Sequence, residues 1–177
     1  MEHLKNDQLK NLPDELRLAK ELVYDPCDFV LSDFNTEPES ADYAACKFLL
    51  NKHSIVYRVS KITPTKVGQF VTVWKRKQGG PIEPYDSSDH VDFIIIGSRA
   101  GHRFGQFIFP KAVLLEKGIL SRKNQEGKRG IRIYPPWDKA INKQAQKTQA
   151  WQLAYFLEIP LTGAVDFVRA KQLIGFN

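Results

Sequence analysis

The chain has 177 residues, of which 42% are apolar and 26% are charged, a composition typical of one globular domain that folds without disulfides. No apolar run approaches the roughly 20 residues that cross a bilayer, which excludes membrane-spanning helices, and the polar start of the chain lacks the apolar stretch of a secretory signal. We therefore expect a cytoplasmic protein that does not insert into membranes.

Charge is distributed unevenly along the chain. Residues 1–54 contain 6 Lys and Arg against 11 Asp and Glu, whereas residues 55–177 contain 20 against 9. A basic body of this kind commonly binds a polyanion, because each phosphate that it neutralises releases condensed counterions. The sequence therefore favours a nucleic-acid partner. The alternative is that the acidic segment folds back on the basic body and largely cancels its field.

The first half of the chain begins with helical patterns and continues with strand patterns. Apolar residues at helical spacing, with a proline near each end, predict a helix that begins near Asn11 and stops before Pro26. Ser40 is a suitable N-cap residue for a second predicted helix that extends to Asn51. Alternating apolar and polar residues then predict a hairpin of two strands, over residues 55–62 and 68–76.

The second half alternates between strand and helix patterns. In chain order, we predict a loop (77–89), a buried strand (90–97), its hairpin partner (104–110), a short helix (111–118), a basic loop (121–130), a short strand (131–134), a long helix (141–159) and a last helix (161–175). This order indicates the α+β class, with a central mixed, largely antiparallel sheet flanked by helices. We divide the chain into an acidic helical N-terminal segment, residues 1–38, packed on a single α+β domain, residues 39–177.

The tripeptide Gly-Gln-Phe occurs in both predicted hairpins, and it places a glutamine early on a strand each time. Alternate strand residues share a face, so Gln69 lies on the face of Val71 and Val73, and Gln106 on the face of Ile108. The amides of Gln69 and Gln106 are candidates for binding a ligand. The alternative is that each amide bonds only to a neighbouring loop.

Several consecutive motifs resemble the MepB family. These motifs are ITPTKVGQFVTVWKR, VDFIII, GQFIFPKAVLLEKGIL and GKRGIRIYPPWD, followed by the glutamine-rich KQAQKTQAWQ, and the resemblance extends from about Glu39 to Leu157. The family is named for operons that also carry a multidrug efflux pump and its repressor. The resemblance implies a fold like the core of restriction endonucleases, with nucleic-acid binding as the function proposed along with that fold.

Nuclease chemistry on such a fold needs a metal site that this sequence does not complete. Restriction-type nucleases hold Mg²⁺ with an Asp and a second acid on paired strands, and they place a Lys nearby. Asp92 and Lys111 match the first acid and the lysine, but Phe109 stands where the second acid belongs. We therefore expect a protein without catalysis. The alternative is a rearranged Mg²⁺-dependent nuclease in which Glu39 or Asp89 joins Asp92 and Lys111.

Other metal or cofactor chemistry is not indicated. Asp92 has a competing interpretation, as a structural carboxylate that caps a turn or pairs with Arg103. Cys27 and Cys46 lack metal-ligand spacing and are expected to be buried thiols. No two histidines stand four residues apart, and phosphate-binding or dinucleotide-binding glycine motifs are missing; the histidines are His3, His53, His90 and His102. We expect no cofactor, apart from Mg²⁺ in the nuclease alternative.

Three basic elements are candidates for phosphate contacts. They are the end of the second predicted strand, the basic loop with its following strand, and a stripe at positions i, i+4 and i+8 of the predicted long helix. In that order, their residues are Lys75, Arg76 and Lys77; Arg122, Lys123, Lys128, Arg129 and Arg132; and Lys139, Lys143 and Lys147. Tyr134 beside the basic loop is a candidate for stacking on a base. The alternative is a solvated surface, with Tyr134 anchoring its turn in the core.

Three hypotheses of function follow from these features. The first is a non-catalytic nucleic-acid-binding protein, and the second is the rearranged nuclease. The third is an accessory protein that binds a small cationic compound or a partner. A pocket lined by Tyr85, Tyr134 and acidic side chains would favour this third hypothesis.

Overall fold

A computed structural model of the chain describes residue 4 and residues 6–175. The first residues of the predicted N-terminal segment, including His3, lie outside the described part. The strands are β1 (Leu31–Thr36), β2 (Cys46–Leu50), β3 (His53–Val59), β4 (Lys61–Ile62), β5 (Gln69–Thr72), β6 (Trp74–Arg76), β7 (Ile82–Pro84), β8 (Phe93–Ala100), β9 (Arg103–Pro110), β10 (Gly130–Ile133) and β11 (Phe156–Glu158). The α-helices are α1 (Asn6–Leu9), α2 (Asp14–Ala19), α3 (Lys111–Glu116), α4 (Lys143–Leu153) and α5 (Phe167–Ile174).

Within the described residues, the largest sheet has six strands in the order β1-β2-β3-β8-β9-β11. Strands β3 and β8 run parallel, and the other neighbours run antiparallel. The predicted α+β class with a mixed central sheet is therefore confirmed. Strands β10, β5 and β4 form a smaller sheet, and β6 pairs with β7 in a two-stranded one. The predicted division at residue 38 falls between β1 and β2, which pair with each other.

The six-stranded sheet separates two clusters of buried side chains. On its first face, Leu16 of α2 and Ile174 of α5 pack on the sheet. On its second face, Leu114 of α3 and Ile131 of β10 belong to the other cluster. The sheet therefore carries α2 and α5 on one side, and α3, β5 and β10 on the other, which is the side of the site described below.

The predicted faces of the two Gly-Gln-Phe strands are confirmed. In β9, Ile108 belongs to the first cluster, whereas Phe107 and Phe109 belong to the second. Val71 and Val73 are buried on the same side of their strand as Gln69. Buried residues on both faces of β9 explain its almost continuously apolar sequence.

The predicted helix from Ser40 to Asn51 is wrong. A short 3₁₀ helix, Pro38–Tyr43, ends at Ala44, which has a positive φ of 50°, and β2 follows at once. Burial in β2 alternates between buried Cys46, Phe48 and Leu50 and the less buried residues between them. Pairing with β1 and β3 on both sides thus overrides the helix preference of the local sequence.

The last part of the predicted long helix is also a strand. Helix α4 ends at Leu153, and residues Phe156–Glu158 form β11 against β9. Strands β9 and β11 approach each other closely at Gly105, where a Cβ atom would lie 2.3 Å from the Phe156 ring. Strands β1 and β7 lie in regions where the sequence indicated no strand. Among the described residues, no helix has the length and apolar character needed to cross a membrane.

Candidate functional site

The candidate site is a groove on the second face of the molecule, between the end of α3, strand β10 and helix α4. Its inner part is a cavity of about 410 Å³, and its outer part adds a basin of about 600 Å³ along α4. We call this the basic groove, and its charged and aromatic lining residues are Lys117, Lys128, Arg132, Lys143, Lys147, Tyr134 and Trp151. Among the described residues that line it, none is Asp or Glu.

Helix α4 is fixed against β10 by its own glutamines. The Gln152 side chain is 1% exposed; it accepts from the backbone N–H of Tyr134 at 2.9 Å and donates to the carbonyl of Arg132 at 3.0 Å. Gln149 donates to the carbonyls of Pro135 and Asp138 at 3.0 and 2.7 Å. These amides therefore hold the helix that forms one wall, so they are not available to a ligand.

The start of α4 and the basic loop form the mouth of the groove. Asn142 caps α4, since its Oδ1 accepts from the N–H of Ala145 at 2.8 Å. Gly127 lets the loop approach the end of α3 closely, because a Cβ atom there would lie 2.4 Å from the Ile119 carbonyl oxygen. The next residue, Lys128, donates its backbone N–H to that carbonyl at 2.9 Å. This contact fixes the backbone of Lys128 at the groove.

The groove cations are largely free of acidic partners. Lys128, Lys143 and Lys147 are exposed, and none of them forms an ion pair with a carboxylate of the described residues. Lys117 contacts its chain neighbour Glu116 at 3.1 Å. Unpaired ammonium groups beside a helix N-terminus produce a positive local potential, which attracts anions.

Two of the three predicted stripe lysines lie on one helix. Lys143 and Lys147 stand one turn apart on α4 and both line the outer basin. Lys139 lies before the helix begins, so the prediction of a three-lysine stripe on one helix is wrong for this residue. Asn142, in extended conformation with its side chain accepting from the N–H of Ala145, caps the helix and sets its start after Lys139.

Lys75 is occupied by acids rather than directed at solvent. Its ammonium group lies 2.6 Å from Asp89, 3.1 Å from Asp86 and 3.6 Å from Glu83, and its side chain is 12% exposed. Burial alone lowers the pKa of Lys75, but the hydrogen bonds and charges of Asp89 and Asp86 raise it above its ordinary value. The Ser88 hydroxyl, with a smaller contribution from Lys75, lowers the pKa of Asp86 to about 2.

The remaining predicted phosphate contacts are exposed but mostly engaged within the chain. The partners are Glu39 for Arg76 at 2.6 Å, Glu83 for Lys77 at 3.5 Å, Gln125 for Arg122 at 2.8 Å and Glu126 for Arg129 at 2.9 Å. Lys123 is exposed in the basic loop. The Arg132 guanidinium donates to Thr63 Oγ1 at 3.1 Å and to the Val67 carbonyl at 3.3 Å. Of the predicted cations, Lys128, Arg132, Lys143 and Lys147 line the groove.

The predicted nuclease residues Asp89, Asp92 and Lys111 lie close together, since Lys111 donates its backbone N–H to the Asp92 carbonyl at 2.9 Å, but their side chains bond to different partners. Asp92 accepts from the backbone N–H of Ser54 at 2.8 Å, and Lys111 donates to the Asp89 carbonyl at 2.7 Å. Glu39 pairs with Arg76 instead. Across the described residues, no group of three or more His, Cys, Asp or Glu side chains is arranged to hold a metal ion.

Arg103, the predicted partner of Asp92, pairs with Glu158 at 2.8 Å. Asp92 instead accepts from the backbone N–H of Ser54 at the start of β3 and lies 4.0 Å from Nδ1 of His53. The competing interpretation of Asp92 as a carboxylate that caps a turn therefore agrees with the structure, whereas the pairing with Arg103 is wrong.

The two glutamines proposed as ligand groups are buried and bonded inside the protein. Gln69 accepts from Ser60 Oγ at 2.6 Å and donates to the Arg99 carbonyl at 3.2 Å. Gln106 accepts from the hydroxyl of Tyr24 at 2.9 Å. Both glutamines are 0% exposed, so neither amide faces a ligand.

The pocket expected for a cationic compound does not form from the two tyrosines named for it. Tyr85 is 2% exposed and belongs to the second buried cluster. Tyr134 lines the basic groove, whose described lining contains no acid. The two rings therefore do not form a shared acidic pocket.

Sequence reasoning missed Lys117 and Trp151, which line both parts of the groove. The Lys117 ammonium group lies 5.5 Å from the centroid of the Trp151 ring, and that ring packs on Phe109 at 5.3 Å. The two residues are 34 positions apart in the sequence. Only the packing of α4 beside the end of α3 brings them together, so no local pattern could have identified the pair.

Helix α2, which belongs to the acidic N-terminal segment, and the basic groove lie on opposite faces of the six-stranded sheet. Asp14 and Glu15 are in the first turn of α2, which packs on the first face through Leu16. The groove lies over the second face, beside Ile119 and Ile131. In the described residues, α2 therefore does not cover the groove.

Comparisons with known proteins place the chain in a family. The model of the MepB-like family matches residues 37–158. A solved crystal structure of MepB is 37% identical in sequence, and the similarity covers 72% of this chain and 86% of that chain with a TM-score of 0.69. No curated protein matches significantly. The matched region contains β2 to β11 almost completely, including every wall of the basic groove. This chain therefore belongs to the MepB-like family.

Proposed function

We propose that this protein binds nucleic acid through the basic groove and does not cleave it. The observation that carries the proposal is the convergence of Lys128, Lys143 and Lys147, without described acidic partners, on one continuous groove. Ammonium groups at one-turn spacing contact successive phosphates and supply affinity without reading the sequence of bases. The position of α2, with Asp14 and Glu15 in its first turn, on the other face of the sheet supports the same function, because this acidic helix leaves the groove open to a polyanion.

Binding without cleavage is proposed because the candidate catalytic groups are engaged elsewhere. Asp92 bonds to the backbone of Ser54, and the carboxylate of Asp89 is neutralised by Lys75. Phe109 occupies the position of the missing acid and is 0% exposed. A phosphate backbone in the groove would therefore meet cations and amides, which bind it but do not activate water.

The proposal is tested with two triple variants of equal charge. Lys128, Lys143 and Lys147 are replaced by Ala in the first variant. In the control, three exposed lysines outside the groove are replaced, namely Lys10, Lys52 and Lys171. Fluorescence anisotropy of labelled oligonucleotides is then measured against salt concentration, with and without Mg²⁺.

The groove variant should lower the slope of log affinity against log salt by about 2, since each phosphate contact with a single strand contributes roughly 0.7. The control variant should keep the wild-type slope. An equal decrease of the salt slope in both variants would show that binding depends only on net charge, and it would contradict the proposal. Shortening of the oligonucleotide after Mg²⁺ addition would instead establish the nuclease alternative.

A further inference from the structure

The two parts of the basic groove differ in shape and are continuous with each other. Lys117, Gln144, Thr148 and Trp151 line both the inner cavity of about 410 Å³ and the outer basin. Small-molecule sites in proteins have volumes of roughly 300–1,000 Å³, so the inner cavity has the size of such a site. A surface that only contacts the phosphates of a nucleic acid can be flat, so phosphate binding alone does not explain this cavity.

The inner cavity combines three kinds of chemical group. Lys117 and Lys128 supply ammonium groups, Tyr134 and Trp151 supply aromatic rings, and Gln144 supplies a side-chain amide. Ammonium groups bind phosphate, ring faces stack on bases, and an amide both donates to and accepts from the edge of a base. A nucleotide is a ligand that carries the complement of all three.

The aromatic groups of the cavity are held in place before any ligand binds. Packing on Phe109 fixes one side of Trp151, and the Lys117 ammonium group lies 5.5 Å from the centroid of its ring. Tyr134 packs against Gly68, where a Cβ atom would lie 2.8 Å from the tyrosine ring. Gly68 also has a positive φ of 82°, which favours glycine. A phosphate bound by Lys117 would thus bring its base beside Trp151.

We infer that the inner cavity accepts one unpaired base of a single-stranded nucleic acid, while Lys143 and Lys147 in the outer basin hold the neighbouring phosphates. This inference rests on the proposed function and adds to it a preference for single strands. In a duplex, each base is paired and stacked, so it must be flipped out before it can enter a cavity. A single strand offers its bases without that step.

The test fills the cavity without changing any charge. Thr148→Phe places a ring where both parts of the groove meet, and Ala150→Phe places the same ring on the exposed side of α4, outside the groove lining. Gln144→Phe, at an exposed position of the same lining, repeats the test if the first variant folds poorly. Anisotropy is measured with a single-stranded oligothymidylate and with a duplex of equal length at one salt concentration.

We expect wild type to bind the single strand about tenfold more tightly than the duplex, and Thr148→Phe to remove about that factor, in the range for loss of one stacked base. In Thr148→Phe the affinity for the single strand should fall to about that for the duplex, and all binding by Ala150→Phe should stay within twofold of wild type. Two results would contradict base binding in the inner cavity while leaving phosphate binding by the groove intact. The first is salt-dependent binding that is equally tight for single strand and duplex. The second is single-strand binding that neither Thr148→Phe nor Gln144→Phe weakens. Absence of binding to both oligonucleotides would overturn the proposed function itself.

Discussion

The ion pair between Glu37 and Arg58 tests how burial determines the contribution of an ion pair to the free energy of unfolding. Arg58 is 1% exposed and donates to Glu37 Oε2 at 2.7 Å, to the Tyr57 carbonyl at 2.9 Å and to the Trp74 carbonyl at 3.3 Å. We expect Glu37→Gln to destabilise the fold, because the buried guanidinium then loses its partner charge. Lys47 also contacts Glu37, at 2.9 Å, but it is half exposed and is solvated without this partner.

The control is a second glutamate two residues further along the chain. Glu39 pairs with Arg76 at 2.6 Å, which is as short as the buried contact, but the Arg76 side chain is 38% exposed. Removing one partner of a buried pair costs about 3–5 kcal/mol, whereas exposed pairs contribute about 0–1 kcal/mol. Because the Glu37 side chain is 23% exposed, we expect Glu37→Gln to lower the free energy of unfolding by about 3 kcal/mol, the lower end of the range for buried pairs.

Urea denaturation followed by tryptophan fluorescence measures the difference in the free energy of unfolding between the two variants. For a domain of this size, about 3 kcal/mol corresponds to a fall in melting temperature of roughly 6–12 °C. Glu39→Gln should shift the melting temperature by no more than about 4 °C on the same scale. Equal destabilisation by the two substitutions would refute the argument that burial of Arg58 decides the outcome.

Two further predictions concern acid stability and the position of the missing nuclease acid. Hydrogen bonds from Ser88 lower the pKa of Asp86 from 3.8 to about 2, so this carboxylate stabilises the fold above pH 3.8 and loses that effect as the pH falls toward 2. The urea concentration at the unfolding midpoint should therefore fall less between pH 4 and pH 2 in Asp86→Asn than in wild type. An identical pH dependence in the two proteins would contradict this role of Asp86. Phe109 packs against Phe107 and Trp151 in the core, so Phe109→Glu should lower the free energy of unfolding by at least about 3 kcal/mol. Calorimetric melting with and without MgCl₂ checks this prediction, and a rise in melting temperature on adding Mg²⁺ would show a metal site instead.

The fold was predictable where local pattern and tertiary contacts agree. The hairpin of β8 and β9 was found because each strand contains an apolar run, FIII and FIFP, on either side of a turn at Gly101, which has a positive φ of 58°. Strand β2 was missed because Ala44 to Leu50 contains good helix formers, and only its two neighbouring strands select the extended form. Local propensity therefore failed where non-local pairing decided the structure.

The candidate site was predictable to a smaller extent. Lys128 and Lys143 were identified from charge alone, because α4 carries no acid and Glu126, the acid of the basic loop, pairs with Arg129. Lys75 was misjudged since its acids, Asp86 and Asp89, lie 11 and 14 positions away and meet it only through the pairing of β6 with β7. A count of charges shows how many cations exist, but the fold decides which of them remain unpaired.

The placement of α2 and the basic groove on opposite faces of the sheet has a consequence for how the molecule approaches a charged partner. The groove carries unpaired cations and no acid among its described lining residues, whereas α2 begins with Asp14 and Glu15, so the field of a polyanion attracts the groove, repels the start of α2 and exerts a torque on the molecule. The molecule would rotate during the encounter until the groove leads, which raises the fraction of productive collisions at low ionic strength. Substitutions such as Glu15→Gln on α2, or Glu21→Gln just after it, would then alter the association rate without touching the bound partner.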